Sequence, residues 1–201
     1  MNRTMREHLL FVFVYAIAPA VAANDTTRFF ESHPNQIDIE ERDDRILFAN
    51  KQIGLEFVKA ERGFQLNRLY GIAEDQDYLA EDAVNGDLFE IIMTLDPEHV
   101  RKDERWKTKM SLMGIIDEMA GDDFPIGPQA GKSLSSRHEQ SDTTSALHLE
   151  WKEIDVRENK GVVNVEVTVT LRAGDPLSYW RINIRNRGSR YGIERVRFPI
   201  L

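Results

Sequence analysis

The alternation of Val163, Val165, Val167, Val169 and Leu171 with Asn164, Glu166, Thr168 and Thr170 constrains this chain more than any other feature. Successive side chains of a strand point to opposite faces, so a period of two sends the apolar set to a core and the polar set to water. The surrounding stretch, Leu147 to Leu201, repeats the pattern over 147–155, 161–172, 177–186 and 193–199 and reads as consecutive antiparallel strands. Turn chemistry separates them at Glu158-Asn159-Lys160-Gly161, Ala173-Gly174-Asp175-Pro176 and Asn186-Arg187-Gly188-Ser189.

A sheet with one apolar face needs a second layer, which the earlier part of the chain must supply. Ile46 and Phe48, then Ile53, Leu55 and Phe57, alternate around Asn50-Lys51 and predict a hairpin. Glu61-Arg62-Gly63 is a turn with glycine where positive φ is easiest, and Phe64 with Leu66 or Leu69 opens a strand that Gly71 closes. After an acidic loop from Asp75 to Gly86, Leu88 to Leu95 is apolar on both faces, as a central strand between layers would be. Between 98 and 121 the period lengthens: Trp106, Met110, Met113 and Ile116 or Met119 recur every three or four residues. This predicts an amphipathic helix, with two strands around Gly114 as the alternative. The segment 121–145, rich in Gly, Pro, Ser and Asp, reads as a long surface excursion. The expected fold class is mainly β, an antiparallel β-sandwich with one helix.

The N-terminus has the parts of a secretory signal: Arg3 and Arg6, the apolar run Leu9 to Ala18, then Ala20-Val21-Ala22 before a cut near Ala22/Ala23. The apolar run is shorter than the roughly 20 residues a bilayer span needs, so no stable membrane anchor is expected after cleavage. The expected organisation is a signal peptide over 1–22, a flexible leader over 23–44, and one sandwich domain over 45–201. With 201 residues, 41% of them hydrophobic, the chain can bury a substantial core. It has no cysteine, so an exported form relies on that core rather than on disulfides, which leans towards a bacterial periplasmic or extracellular protein. The net charge of −8 disfavours nucleic acid as a partner, because a grip on phosphate backbones needs a basic surface.

Two segments carry a family resemblance. ILFANKQIGLEFVKAERGFQLNRLYGIAEDQDYL is similar to the first strands of galactose-mutarotase-like β-supersandwich domains, and PLSYWRINIRNRGSRYGIERVRFPIL resembles their segment of aromatic residue, alternating strand, glycine-rich turn and V-x-F-P. The resemblance covers roughly residues 45–95 and 147–201, while 98–145 departs from it. Such domains often precede a catalytic barrel in secreted polysaccharide-degrading proteins. The resemblance therefore implies the first part of a carbohydrate-associated sandwich, with catalytic residues beyond Leu201. Val196, Phe198, Ile200 and Leu201 carry apolar character to the last position, and the same expectation follows: a supersandwich-like domain incomplete at its C-terminal end, with a downstream catalytic domain as a partner.

Within the chain no catalytic set stands out. Gly127-Pro128-Gln129-Ala130-Gly131-Lys132-Ser133 looks like a phosphate loop but has three residues between its glycines where four are needed, so an exposed loop is the better reading. Asp117, Glu118, Asp122 and Asp123 are read as a solvated acidic rim, since neighbours in sequence do not make the opposed carboxyls that glycoside hydrolysis requires. His33, His99, His138 and His148 show no metal-ligand spacing, and no cofactor or metal is expected; His138 and His148 are read as exposed.

Aromatic and polar side chains on an outward strand face are the best binding candidates, because sugar rings stack on aromatics while polar groups fix their hydroxyls. Alternation points Trp151 and Trp180 inward, leaving Tyr179, Arg181, Asn183 and Arg185 as a carbohydrate-binding face, with Trp106 as a further candidate. Two functions stay open: an exported carbohydrate-associated domain, the non-catalytic N-terminal part of a glycoside-processing enzyme, or an envelope structural module that engages another protein through its unpaired last strand.

Overall fold

The structure is a computed structural model that describes residue 29 and residues 37–61, 63–79, 86–95 and 123–200. The first sheet runs in sequence order through β1 (Asp38–Arg42), β2 (Arg45–Ala49), β3 (Ile53–Ala60), β4 (Gly63–Gly71) and β5 (Gln76–Asp77), with β6 (Gly86–Asp87) also on β4. A three-stranded sheet is built on β7 (Glu90–Leu95), flanked by β8 (Phe124–Ile126) and β13 (Tyr191–Arg197). A four-stranded sheet orders β9 (Ser133–Gln140), β10 (Thr144–Val156), β11 (Asn159–Arg172) and β12 (Tyr179–Asn186) side by side. All pairings are antiparallel.

The sheets bury one common core. Val163, Val165, Val167, Val169 and Leu171 of β11 join Leu147, Leu149 and Trp151 of β10 against Phe48, Leu55, Phe57 and Phe64 of the first sheet and Ile91 and Met93 of β7. Trp151 is the pivot: fully buried, it meets Phe64 edge-on at 5.6 Å and Phe89 edge-on at 5.1 Å, an arrangement that suits the aromatic quadrupoles. Trp180 of β12 packs against Phe57 of β3 at 5.8 Å, so the four-stranded sheet meets the first at β12 as well as at β10 and β11.

One side-chain tie joins the layers at an end. Asn50, just after β2 and 2% exposed, donates through its amide to the carbonyls of Arg172 at 2.7 Å and Asp175 at 2.8 Å. Its carbonyl oxygen meanwhile accepts from the backbone N–H groups of Gln52 and Ile53, shaping the β2–β3 turn.

Several expectations are corrected. Strand β1 already lies within the expected leader, before Arg45, and Phe29, also within it, is buried with Leu47, Ala49 and Tyr70 on the other face of the first sheet. The sequence of β1, DIEER, is charged because the strand lies at the sheet edge, where charge blunts further pairing. The expected excursion over 121–145 contains β8 and β9. Edge strand β9, SLSSRHEQ, keeps most of its residues in solvent or half-buried, so it carries no apolar rhythm. The phosphate-loop look-alike is a single 3-10 turn, Pro128–Ala130. The last strand does not extend the four-stranded sheet: β13 crosses over to pair with β7 in the three-stranded one. β7 itself buries Ile91 and Met93 but leaves Ile92 half-exposed, so one face rather than both is in the core. The β10–β11 turn is tighter than its Gly161 suggests, spanning Arg157-Glu158 between paired Val156 and Asn159, with Arg157 at φ 51. The expected signal peptide and the helix over 98–121 lie outside the described residues. Among the described residues no helix is long and apolar enough to cross a membrane.

Candidate functional site

The site grows out of the alternation with which the sequence reading began. With the odd-numbered valines of β11 buried, Asn164, Glu166, Thr168 and Thr170 form one rank of the outer face. Antiparallel register then sets beside them Arg185, Asn183, Arg181 and Tyr179 of β12, in that order. On the other flank the same register brings Glu150 opposite Glu166 and His148 opposite Thr168 from β10, followed by Ser135 and Arg137 from β9.

A bulge shapes one end of this face. The apolar parity of β10 changes from Leu147, Leu149, Trp151 to Ile154, Val156, and the β10–β11 register slips at that point. Lys152 and Glu153 are both exposed, Glu153 has φ 58, and its N–H donates to the Asn164 side-chain oxygen at 3.1 Å. A bulge bends its strand and re-aims neighbouring side chains. Beside it opens a hollow of about 300 Å³, lined among others by Glu150, Lys152, Asn164, Glu166, Asn183 and Arg185.

Most of the charge in and around the hollow is internally matched. Lys152 meets Glu150 at 2.6 Å, and Ser135 donates to the same carboxylate at 2.9 Å. The Lys152 ammonium, with help from Ser135, holds the Glu150 carboxyl below its ordinary range despite partial burial. Arg137 donates to Glu166 at 2.9 Å and also pairs with Glu139, whose carboxylate raises the guanidinium further. His148 is not on display, as its outward parity suggested, but is 6% exposed. Its Nδ1 lies 3.2 Å from Glu166, Thr168 and Arg137, because the flanking strands and the long Arg137 side chain cover the middle of the face.

Register makes Glu150 and Glu166 a cross-strand carboxylate pair, with Cβ atoms about 5 Å apart by strand geometry. Glycoside hydrolysis requires one of two carboxyls to stay protonated as the acid, and so needs a raised pKa. Glu150 is shifted the other way, and Glu166 accepts from a guanidinium. Each carboxylate of the pair thus has its own cationic partner, Lys152 for Glu150 and Arg137 for Glu166.

The structure places Tyr179, Arg181, Asn183 and Arg185 together on the exposed side of β12, as alternation implies, while Trp180, Ile182 and Ile184 turn to the core. Only Asn183 and Arg185 of the four reach the hollow. Tyr179 is already engaged: its hydroxyl donates to Asp175 at 2.8 Å, a bond that raises its pKa, and the Arg172 guanidinium lies 4.4 Å over its ring. Trp106 lies outside the described residues.

No family model matches the chain, and no curated protein matches it in sequence. The site must therefore be read from its own chemistry.

The remaining candidates of the sequence reading fall elsewhere. Asp123 sits at the three-stranded sheet, hydrogen-bonded with Glu194 and Thr94, far in topology from β10 to β12; Asp117, Glu118 and Asp122 lie outside the described residues. His138 is exposed on β9. Among the described residues no three His, Cys, Asp or Glu side chains gather as a metal site. Sequence reasoning missed Glu150, Lys152 and Asn164; the parity change between Trp151 and Ile154 was the one local signal of the bulge that brings them together.

Proposed function

We propose that this chain is an exported, carbohydrate-associated sandwich domain, the non-catalytic N-terminal part of a glycoside-processing enzyme, and that it holds a glycan on the polar face of β10–β12. One observation carries the reading: Asn183 and Arg185 of β12 converge with Asn164 of β11 and Lys152 of β10 on the 300 Å³ hollow. Amide and cationic donors on neighbouring strands, each fixed by backbone pairing, match the hydroxyl and ring-oxygen acceptors of sugar units. The signal-like N-terminus and the resemblance to galactose-mutarotase-like domains support it from the sequence. The engaged carboxylates of the hollow support binding without turnover.

A second reading has its own observation. Among the described residues β13 is an edge strand, and Ile193, Val196 and Ile200 on and beyond it are 37–39% exposed, which favours an envelope interaction module whose edge accepts another protein strand. Glycan-array binding by the purified chain, alone and with any downstream coding sequence attached, separates the two. Glycan binding that Asn183→Ala weakens supports the first reading; no glycan binding by either form refutes it.

A further inference from the structure

The charge pairing around the hollow has a remainder. Six arginines of the described residues are tied to carboxylates, Arg42 to Glu40, Arg45 to Glu56, Arg68 to Asp77, Arg137 to Glu166, Arg190 to Glu158 and Arg197 to Glu90, and Arg195 on β13 acts electrostatically on Asp123 and Glu194. Arg172 stacks on Tyr179, and Arg157 lies over the rings of Phe124 and Tyr191. Arg181, Arg185 and Arg187 are the exposed arginines on the β12 flank that have no side-chain partner among the described residues.

Their placement is one-sided. At two-residue steps of a strand, about 7 Å each, Arg181, Asn183 and Arg185 follow one another along the exposed face of β12, and Arg187 lies just past the strand's end beside the same hollow. The end of the row is held rigidly. Arg187 N–H donates to the Val162 carbonyl at 2.8 Å, and Asn186 between the two arginines bonds the Tyr191 carbonyl at 2.7 Å and the Gly188 N–H at 2.9 Å. Arg185 and Arg187 both line the hollow, whose carboxylates are already matched by Lys152 and Arg137. In a chain of net charge −8, a pre-positioned strip of uncompensated guanidiniums is a local reversal of sign that repels itself and attracts an anion. Guanidinium forks match carboxylate and sulfate oxygens two at a time.

We infer that this face selects glycans bearing negative charge, as uronate carboxylates or sulfate esters, over neutral ones. The inference rests on the glycan-binding reading above and names its ligand class. The side-chain amides of Asn164 and Asn183 hold sugar hydroxyls, while Arg185 and Arg187, with Arg181 further along, take the acidic groups.

The test is calorimetric titration of the purified chain at low salt with an oligogalacturonate and with the same oligosaccharide after its carboxyls are reduced to alcohols. Dextran sulfate against dextran, and a DNA duplex, complete the set. The expected result is binding of the oligogalacturonate or of dextran sulfate at least about tenfold tighter than of its neutral counterpart, with the two pairs distinguishing carboxylate from sulfate. The R185A/R187A variant loses about that factor, and Arg42→Ala, on the first sheet, retains full affinity. Equal binding of the charged and neutral oligosaccharides overturns the charge inference and leaves the glycan reading standing. Absence of binding to every glycan overturns both. Binding of the DNA duplex as tightly as of the best glycan, dependent on the same arginines, overturns glycan selection in favour of a general polyanion strip.

Discussion

The Asn50 side chain reaches from the turn after β2 to the carbonyl of Arg172 at the far end of β11, 2.7 Å away. It also holds the Asp175 carbonyl and two backbone N–H groups of its own turn, so one buried amide satisfies four backbone groups at the ends of strands from two sheets. Replacing Asn50 by Ala leaves those groups without their partner in a part-buried site. The expected loss is about 1–3 kcal/mol, seen as a fall of several degrees in Tm by circular dichroism, with no change in glycan affinity at the β12 face.

Gly63 is required for two reasons that act together. Its φ of 106 is unfavourable for any residue with a Cβ, and a Cβ built there would lie 2.4 Å from Trp151 Nε1 and 3.2 Å from the Pro128 carbonyl. Gly63→Ala therefore strains the turn and pushes on the central tryptophan. A destabilisation of about 2–4 kcal/mol is expected in urea unfolding, accompanied by a change in the near-ultraviolet signal of Trp151.

Asp155 ties the ends of the bulged hairpin. Its carboxylate accepts from Lys132 at 2.7 Å, from the Gly161 N–H at 2.9 Å and from Lys160 at 3.1 Å, and these bonds, Lys132 first, hold its pKa far below the ordinary value. A carboxyl with a depressed folded pKa contributes stability that is fully present above its unfolded pKa, near 4, and is lost as pH falls towards the folded value. Wild type is thus expected to exceed Asp155→Asn in urea midpoint at pH 7, with the gap closing as pH drops below about 4. A gap that is constant across this range contradicts the assignment.

How much of this could be read beforehand depends on where each element meets its neighbours. β11 and β12 were legible because one face of each lies on apolar side chains and the other in water, so Val163 to Leu171 and Trp180 to Ile184 carry the period outright. β1 and β9 were not, because an edge strand of charged or hydroxylated residues needs no apolar rhythm when much of it is solvated. β13 kept its strand character but changed sheet, since pairing with β7 is decided by the core that Tyr191 enters and not by the strand's own residues. For the site, alternation alone found Asn183 and Arg185. Glu150, Lys152 and the buried His148 depended on cross-strand register, which joins residues far apart in sequence and is fixed only when the sheet assembles. The tie of Tyr179 to Asp175 and Arg172 was equally beyond a periodicity.

The central claim is that the polar face of β10–β12 receives a glycan, and backbone-amide NMR during titration with an oligogalacturonate tests it most directly. The account predicts that chemical-shift changes concentrate at Lys152, Asn164, Asn183 and Arg185 around the hollow, while Leu47 and Phe48 of β2 stay unmoved. Changes centred on Ile193 and Val196 of β13, or none at the four hollow residues, would contradict it.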